Sequence, residues 1–141
     1  STPLTILGLD FGERWVGFAV SDPSNFLASP LKTVQVIEVT SLIQDILQVV
    51  EERAVEKIVV GLPISMAGRW NIQTKSVNDF IVALSECTDI PIVPVDERLS
   101  TVEAERRLIE SGHRRKRATR RIDAMAATII LQAFLDSQIM K

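Results

Sequence analysis

The 141-residue chain predicts an α/β fold, a mixed sheet with helices on its faces. Two observations carry that expectation. The apolar run Ile6-Leu7-Gly8-Leu9-Asp10 is followed, after a short charged turn, by Trp15-Val16-Gly17-Phe18-Ala19-Val20, which is the layout of two paired antiparallel strands. Further on, short apolar runs alternate with segments of helical periodicity, as strand-helix-strand crossovers require.

Strands are expected over residues 4–10 and 15–21, with a third within 31–37 after the loop Asp22-Pro23-Ser24-Asn25. Thr40 or Ser41 can cap a helix whose apolar residues Leu42, Ile43, Ile46, Leu47, Val49 and Val50 recur at helical spacing. Residues 57–62 form the short apolar run of a buried parallel strand, punctuated by Gly61 and Pro63. A polar loop over 65–71 leads to a helix over 74–85, with Val77, Phe80, Ile81 and Leu84 on one face. Residues 90–95 read as another buried strand, running into Asp96-Glu97-Arg98. Ser100 and Glu103 fit a capping box, opening a helix that stops near Gly112. The last helix is expected over 119–137, its apolar stripe being Ile122, Met125, Ala126, Ile129, Ile130, Ala133 and Phe134. With no repeat, low-complexity stretch or linker, the expectation is one domain over 1–141.

Composition excludes some classes of function. No run approaches the roughly 18 apolar residues of a membrane span, so no membrane association is expected. The single Cys87 cannot form an internal disulfide. Placed near the end of a helical pattern, it reads as a small, partly buried residue rather than a nucleophile. One cysteine and no basic-then-apolar leader predict a reduced, cytoplasmic setting. The net charge of −2 conceals an asymmetry: of 16 basic residues, eight fall between Arg106 and Arg121, with Glu110 the one acid among them. That segment carries +7 and the remainder, with eight basic and 17 acidic residues, carries −9. Arg114, Arg115, Lys116, Arg117, Arg120 and Arg121 thus form a candidate nucleic-acid-binding patch in an acidic chain. His113, at its start, reads as surface decoration.

In open α/β sheets, sites lie beyond the carboxyl ends of the strands. Asp10, Gly61 and the pair Asp96-Glu97 all fall at such ends. An acid where a buried strand runs into a glycine turn is poorly placed for stability and well placed to hold a metal ion or a phosphate. Asp123 is the third acid, on the last helix at the margin of its stripe, beside Ala126, Ala127 and Ile130. It has a bland reading as an acid near a helix N-terminus. Converging carboxylates form an all-oxygen site suited to Mg²⁺ or Mn²⁺. Two such ions about 3.5–4 Å apart activate a water and stabilise the leaving oxygen of a phosphodiester. Asp96 and Glu97 are rivals for the middle position, because strand alternation cannot choose between them until the phase of the pleat is known.

Four ordered motifs resemble the YqgF/RuvX family of RNase H-like nucleases. They are Leu7-Gly8-Leu9-Asp10-Phe11-Gly12 with Val16-Gly17-Phe18-Ala19-Val20-Ser21-Asp22-Pro23; Val59-Val60-Gly61-Leu62-Pro63; 95–105, beginning Val95-Asp96-Glu97-Arg98-Leu99-Ser100-Thr101; and Ile122-Asp123-Ala124-Met125-Ala126-Ala127. The resemblance covers essentially the whole chain. It implies an RNase H-like mixed five-stranded sheet flanked by helices, with Asp10, Glu97 and Asp123 as catalytic metal ligands, so it favours Glu97 over Asp96. It also implies 5′-end maturation of pre-16S ribosomal RNA in ribosomal precursor particles. The alternative it carries is a Holliday junction resolvase acting on branched DNA. One departure stands out: after Gly-Leu-Pro the family usually shows Asn-Met-Asp-Gly, where this chain has Ser65-Met66-Ala67-Gly68-Arg69-Trp70-Asn71. Trp70 there can stack on a base or anchor the loop.

Two other readings compete. Actin-like ATPases and sugar kinases also open with a strand, an Asp-x-Gly turn and a second strand, but they need two such domains to enclose a nucleotide. A nucleic-acid-binding scaffold that performs little chemistry would keep the fold and the basic patch. The leading expectation is a metal-dependent nuclease acting on structured RNA or branched DNA.

Overall fold

The computed structural model describes residues 5–12, 14–65, 67–99 and 115–139, with only the backbone of 99 and of 115–123. Strands β1 (Thr5–Phe11), β2 (Trp15–Ser21) and β3 (Ala28–Gln35) are followed by α1 (Val39–Arg53), β4 (Val55–Leu62), α2 (Ile72–Ser85) and β5 (Ile92–Asp96). A 3-10 turn (Glu97–Leu99) and helix α3 (Arg115–Ile139) complete the described elements. The strands form one sheet in the order β3-β2-β1-β4-β5. The β3-β2-β1 pairings are antiparallel and the β1-β4-β5 pairings parallel, so the expected mixed five-stranded sheet is present.

Period-two alternation sorts side chains to two faces. Leu7, Leu9, Val16, Phe18, Ile58 and Val60 are buried in one cluster with Leu42, Ile46 and Val49 of α1 and Val77, Phe80 and Leu84 of α2. Ile6, Ala19 and Val59, with Val93 and Val95, form the other cluster with Ala127, Ile130, Leu131, Phe134 and Leu135 of α3. Sheet and helices therefore make three layers, with α1 and α2 on one side and α3 on the other.

Helix α3 lies very close to the sheet. A Cβ on Gly8 would stand 2.9 Å from Leu131 Cβ and 3.3 Å from the Ala127 carbonyl oxygen. Neither atom can swing aside. The helix is also tied to the β2–β3 corner: the Gln132 side chain accepts from the Ala28 N–H at 2.9 Å and donates to the Phe26 carbonyl at 2.8 Å. Where the β1–β4 register slips at Thr5/Ile6, the Ile6 N–H donates to the buried Ser21 hydroxyl at 2.9 Å, so the irregularity leaves that amide satisfied.

Several expected boundaries move. β3 begins at Ala28 rather than Leu31, because β2 pairs along its whole length, from Trp15 with Gln35 to Ser21 with Ala28. Pro30 is tolerated because β3 is an edge strand and the register shifts opposite it, between Phe18 and Ala19. Helix α1 is not capped by Thr40 or Ser41. Glu38 occupies that position with extended backbone and no side-chain cap, and its carbonyl accepts from the Leu42 N–H. α2 starts two residues early because Asn71 and Thr74 form a reciprocal capping box.

The buried stripe of α3 is rotated from the expected one. Ala126, Ala127, Ile130, Leu131, Phe134 and Leu135 are buried, whereas Met125 is 40% exposed. α3 also begins no later than Arg115 rather than at 119, so Arg115, Lys116 and Arg117 lie in the helix as well as Arg120 and Arg121. Cys87, expected to be partly buried, is exposed just beyond α2. The helix expected after Ser100 lies outside the described residues, as does His113. Among the described residues, no helix is long and apolar enough to cross a membrane.

Gly8→Ala tests the close approach. Gly8 does not have a positive φ, so alanine there would gain a few tenths of a kcal/mol or more from reduced chain entropy were space available. Contact with Leu131 and Ala127 reverses that sign, and a net loss of about 1–3 kcal/mol is expected from urea denaturation.

Candidate active site

Asp10 is the next-to-last residue of β1 and is fully buried. Alternation from Ile6 through Gly8 places it on the α3 face. Two glycines flank it. Gly17 of β2 lies directly opposite. On the other side, the parallel register Leu9 to Val60 continues to bring Asp10 beside Gly61 of β4. A Cβ at Gly61 would lie 3.4 Å from Asp10 Oδ1 and 3.3 Å from Glu97 Oε2, and would overlap Ile130 Cδ1. Two carboxylates thus close over the same bare stretch of backbone, with Ile130 of α3 against it.

Glu97 reaches this spot because of the pleat. Val93 and Val95 pack on the α3 side of the sheet, and two residues further the same phase gives Glu97, which is 4% exposed. Asp96 belongs to the opposite phase, paired in register with Leu62. Its Oδ1 accepts from the Arg98 backbone N–H at 2.9 Å, closing the turn that carries Glu97. The Arg98 guanidinium also donates to Oδ2 from Nη2 at 2.6 Å and from Nε at 3.0 Å, and to Oδ1 from Nε at 3.1 Å. The guanidinium hydrogen bond holds the Asp96 carboxyl below its ordinary value of 3.8, and the same contact raises Arg98.

The third expected ligand, Asp123, has only its backbone described. It stands four residues before Ala127 and seven before Ile130, in line with the centre of the buried stripe rather than at its margin. Arg115, Lys116, Arg117, Arg120 and Arg121 occupy the preceding turns of α3, again as backbone alone. Arg114 lies outside the described residues. Among the described residues, no group of three histidine, cysteine, aspartate or glutamate side chains comes together as a metal cluster. The described part of the expected triad is the pair Asp10 and Glu97.

The donor chemistry of that pair fits a hard divalent cation. Hard carboxylate oxygens are what Mg²⁺ and Mn²⁺ prefer, and the missing side chain at Gly61 lets both carboxylates close on the same stretch of backbone. Sequence reasoning missed the roles of Gly61 and of the Asp96–Arg98 pair. Their signals were a glycine inside the β-branched run Ile58-Val59-Val60 and an arginine two residues after an aspartate.

Comparison with known proteins identifies the family and the fold. The family model described as RuvX, Holliday junction resolvase, matches residues 4–137. A protein of Roseiflexus sp. (strain RS-1), named "Putative pre-16S rRNA nuclease", is 44% identical over 138 residues, 98% of either chain. A protein of the same name from Chloroflexus aggregans is 40% identical over 134 residues, covering 95% of this chain and 94% of that one. Among solved structures, Thermus thermophilus RuvC in complex with a Holliday junction superposes with a TM-score of 0.59 at 13% identity, over 96% of each chain. The yeast mitochondrial Holliday junction resolvase Ydc2 gives 0.58 at 13% identity, over 98% of this chain and 80% of that one. At that identity these two likenesses show a shared fold.

The Asp96–Arg98 clamp has a measurable signature. Its contribution to stability is full above the ordinary carboxyl value and is lost as pH falls through the depressed one. In Arg98→Ala the Asp96 carboxyl is expected to titrate higher, back toward 3.8, as read by carboxyl-carbon NMR. An unchanged midpoint would show that the guanidinium is not the cause.

Proposed function

Because the chain belongs to the RuvX family of Holliday junction resolvases, we propose that its acidic site makes it a metal-dependent nuclease that hydrolyses phosphodiester bonds in structured nucleic acid, with the 5′ end of pre-16S ribosomal RNA as the substrate. The observation that carries this reading is the convergence of the Asp10 and Glu97 carboxylates over Gly61 at the carboxyl ends of β1, β4 and β5. The names of the similar proteins support RNA as the substrate. The family description favours the second reading, branched DNA. On the RNA reading the protein works on ribosomal precursor particles in the cytoplasm.

Asp10, Glu97 and Asp123 would hold Mg²⁺ or Mn²⁺, with α3 carrying the third ligand toward the sheet. When bound, the ion supplies an activated water and charge stabilisation at the leaving oxygen. The chain's own contribution is positional. Gly17 and Gly61 put no side chain beside Asp10, which lets its carboxylate and that of Glu97 come together. Ile130 and the packed face of α3 exclude bulk water from one side, which strengthens electrostatic interactions within the site. The arginines and lysine of 114–121 draw the polyanion to the end of α3 that carries Asp123.

Asp10→Asn is expected to lower cleavage of labelled precursor rRNA by about a hundredfold or more while keeping binding within a few-fold. A four-way junction assayed beside it, in Mg²⁺ and in Mn²⁺, decides between the two substrates. Wild-type protein that cuts neither would leave the scaffold reading standing. Gly61→Ala separates site geometry from fold. Its methyl displaces Ile130 and crowds both carboxylates, so cleavage is expected to fall about tenfold to a hundredfold. The urea midpoint should drop less than in Gly8→Ala, since the overlapping atom is a movable side-chain tip.

A further inference from the structure

We propose that the loop over residues 65–71, between β4 and α2, is a stacking subsite for an unpaired nucleobase beside the scissile phosphate, with Trp70 as its platform. The inference rests on the nuclease reading for the presence of nucleic acid and adds which part of it this chain grips. The loop is closed on itself. The Ser65 carbonyl accepts from the Gly68 N–H at 2.8 Å, the Ser65 N–H donates to the Arg69 carbonyl at 3.2 Å, and the Ser65 hydroxyl accepts from the Arg69 N–H at 3.0 Å. Its far end is pinned to α2. Asn71 Oδ1 accepts from the Thr74 N–H at 2.9 Å, and Thr74, which is fully buried, also donates its hydroxyl to the Pro63 carbonyl. These bonds hold Ser65 and residues 68–71 in place, and groups positioned before their ligand arrives lose less entropy on binding.

This loop stands against the candidate active site. Gly68 has φ +79°, and a Cβ there would lie 3.2 Å from Arg98 Nη1. Arg98 immediately follows Glu97. Its Nε and Nη2 edge is held by Asp96, which fixes the plane of the guanidinium with Nη1 toward the loop. Two residues beyond Gly68, the Trp70 side chain is 55% exposed. Burial of a tryptophan contributes to stability, and here about half of the side chain is left open to a ligand.

The surroundings fit a nucleotide in particular. Arg69 is exposed and supplies, with Arg98, positive charge for the phosphate to which a stacked base is attached. Ile72, 89% exposed, begins an open apolar groove of about 490 Å³ whose lining includes Phe11, Val36, Val39 and Phe80. Phe11 follows Asp10 but packs on the opposite face of the sheet, with Phe80 of α2, so this groove lies on the α1/α2 side, where Trp70 precedes α2. A base inside a duplex has both faces covered by its neighbours. An unpaired base offers a free face to the indole, so the surface selects single-stranded nucleotides flanking the cut.

The test uses the full chain carrying Asp10→Asn, so that binding is read without cleavage. Fluorescence anisotropy measures affinity for an RNA hairpin with a few unpaired 5′ nucleotides and for the same hairpin with a blunt end. The ratio of the two affinities is expected to fall about tenfold on adding Trp70→Ala, and to be largely restored by Trp70→Phe, since a phenyl ring also stacks. A thermal melt confirms that the Trp70→Ala protein is folded. An unchanged ratio overturns the subsite, as does a Trp70→Phe protein as weak as Trp70→Ala. Wild-type protein that cleaves RNA while the ratio stays unchanged would sink the subsite alone. Protein that binds neither hairpin would sink the nuclease reading with it.

Discussion

The approach of helix α3 to the sheet is the constraint on which the rest of the structure depends. It is possible because no side chain stands between helix and sheet at Gly8 and Gly61, and because the helix presents Ala126 and Ala127 near those points. The close approach buries Ile130, Leu131 and Leu135, each worth roughly 1.5–3 kcal/mol when fully removed from water. It also sets Ile130 against the two carboxylates and fixes the distance of position 123 from the sheet. Interiors are packed like crystals, so a helix seated this way has little freedom to drift. That rigidity is what a site with ångström tolerances needs.

Against this stands an electrostatic cost. Asp10 is fully buried and Glu97 nearly so, and a carboxylate withdrawn from water is unfavourable unless charge or hydrogen bonds meet it. The fold tolerates the expense because the site lies at one end of the sheet, while the apolar clusters on both faces continue along its length. Local rules of stability are broken at one edge and obeyed elsewhere, the usual mark of a working site.

Much of this was legible in the sequence, and the failures have particular causes. Asp10 announced itself because an acid ended an apolar strand. The choice between Asp96 and Glu97 needed the phase of the pleat, which Val93 and Val95 acquire only by packing on α3. The α3 stripe was misplaced for a related reason. Ile129 and Ala133 are as apolar as Leu131 and Leu135, so a helical wheel offers two faces, and the bare backbone at Gly8 selects one of them. Pro30 hid the start of β3 because a proline is harmless only on an edge strand, and edge position is a property of the whole sheet. Glu38 at the start of α1 gave no capping signal because its side chain makes no cap.

The loop after β4 shows how one substitution redirects a surface. Where the resembling family usually carries an acid, this chain has Ala67, exposed beside Gly68. The positive φ at Gly68 keeps the sharp turn, so the change is one of charge rather than of path. With alanine instead, Asp96 is the carboxylate partner of Arg98 among the described residues, and the loop's own charge is that of Arg69. Without an acid at position 67 the charge carried by residues 65–71 is positive, as the proposed contact with a nucleic-acid phosphate requires.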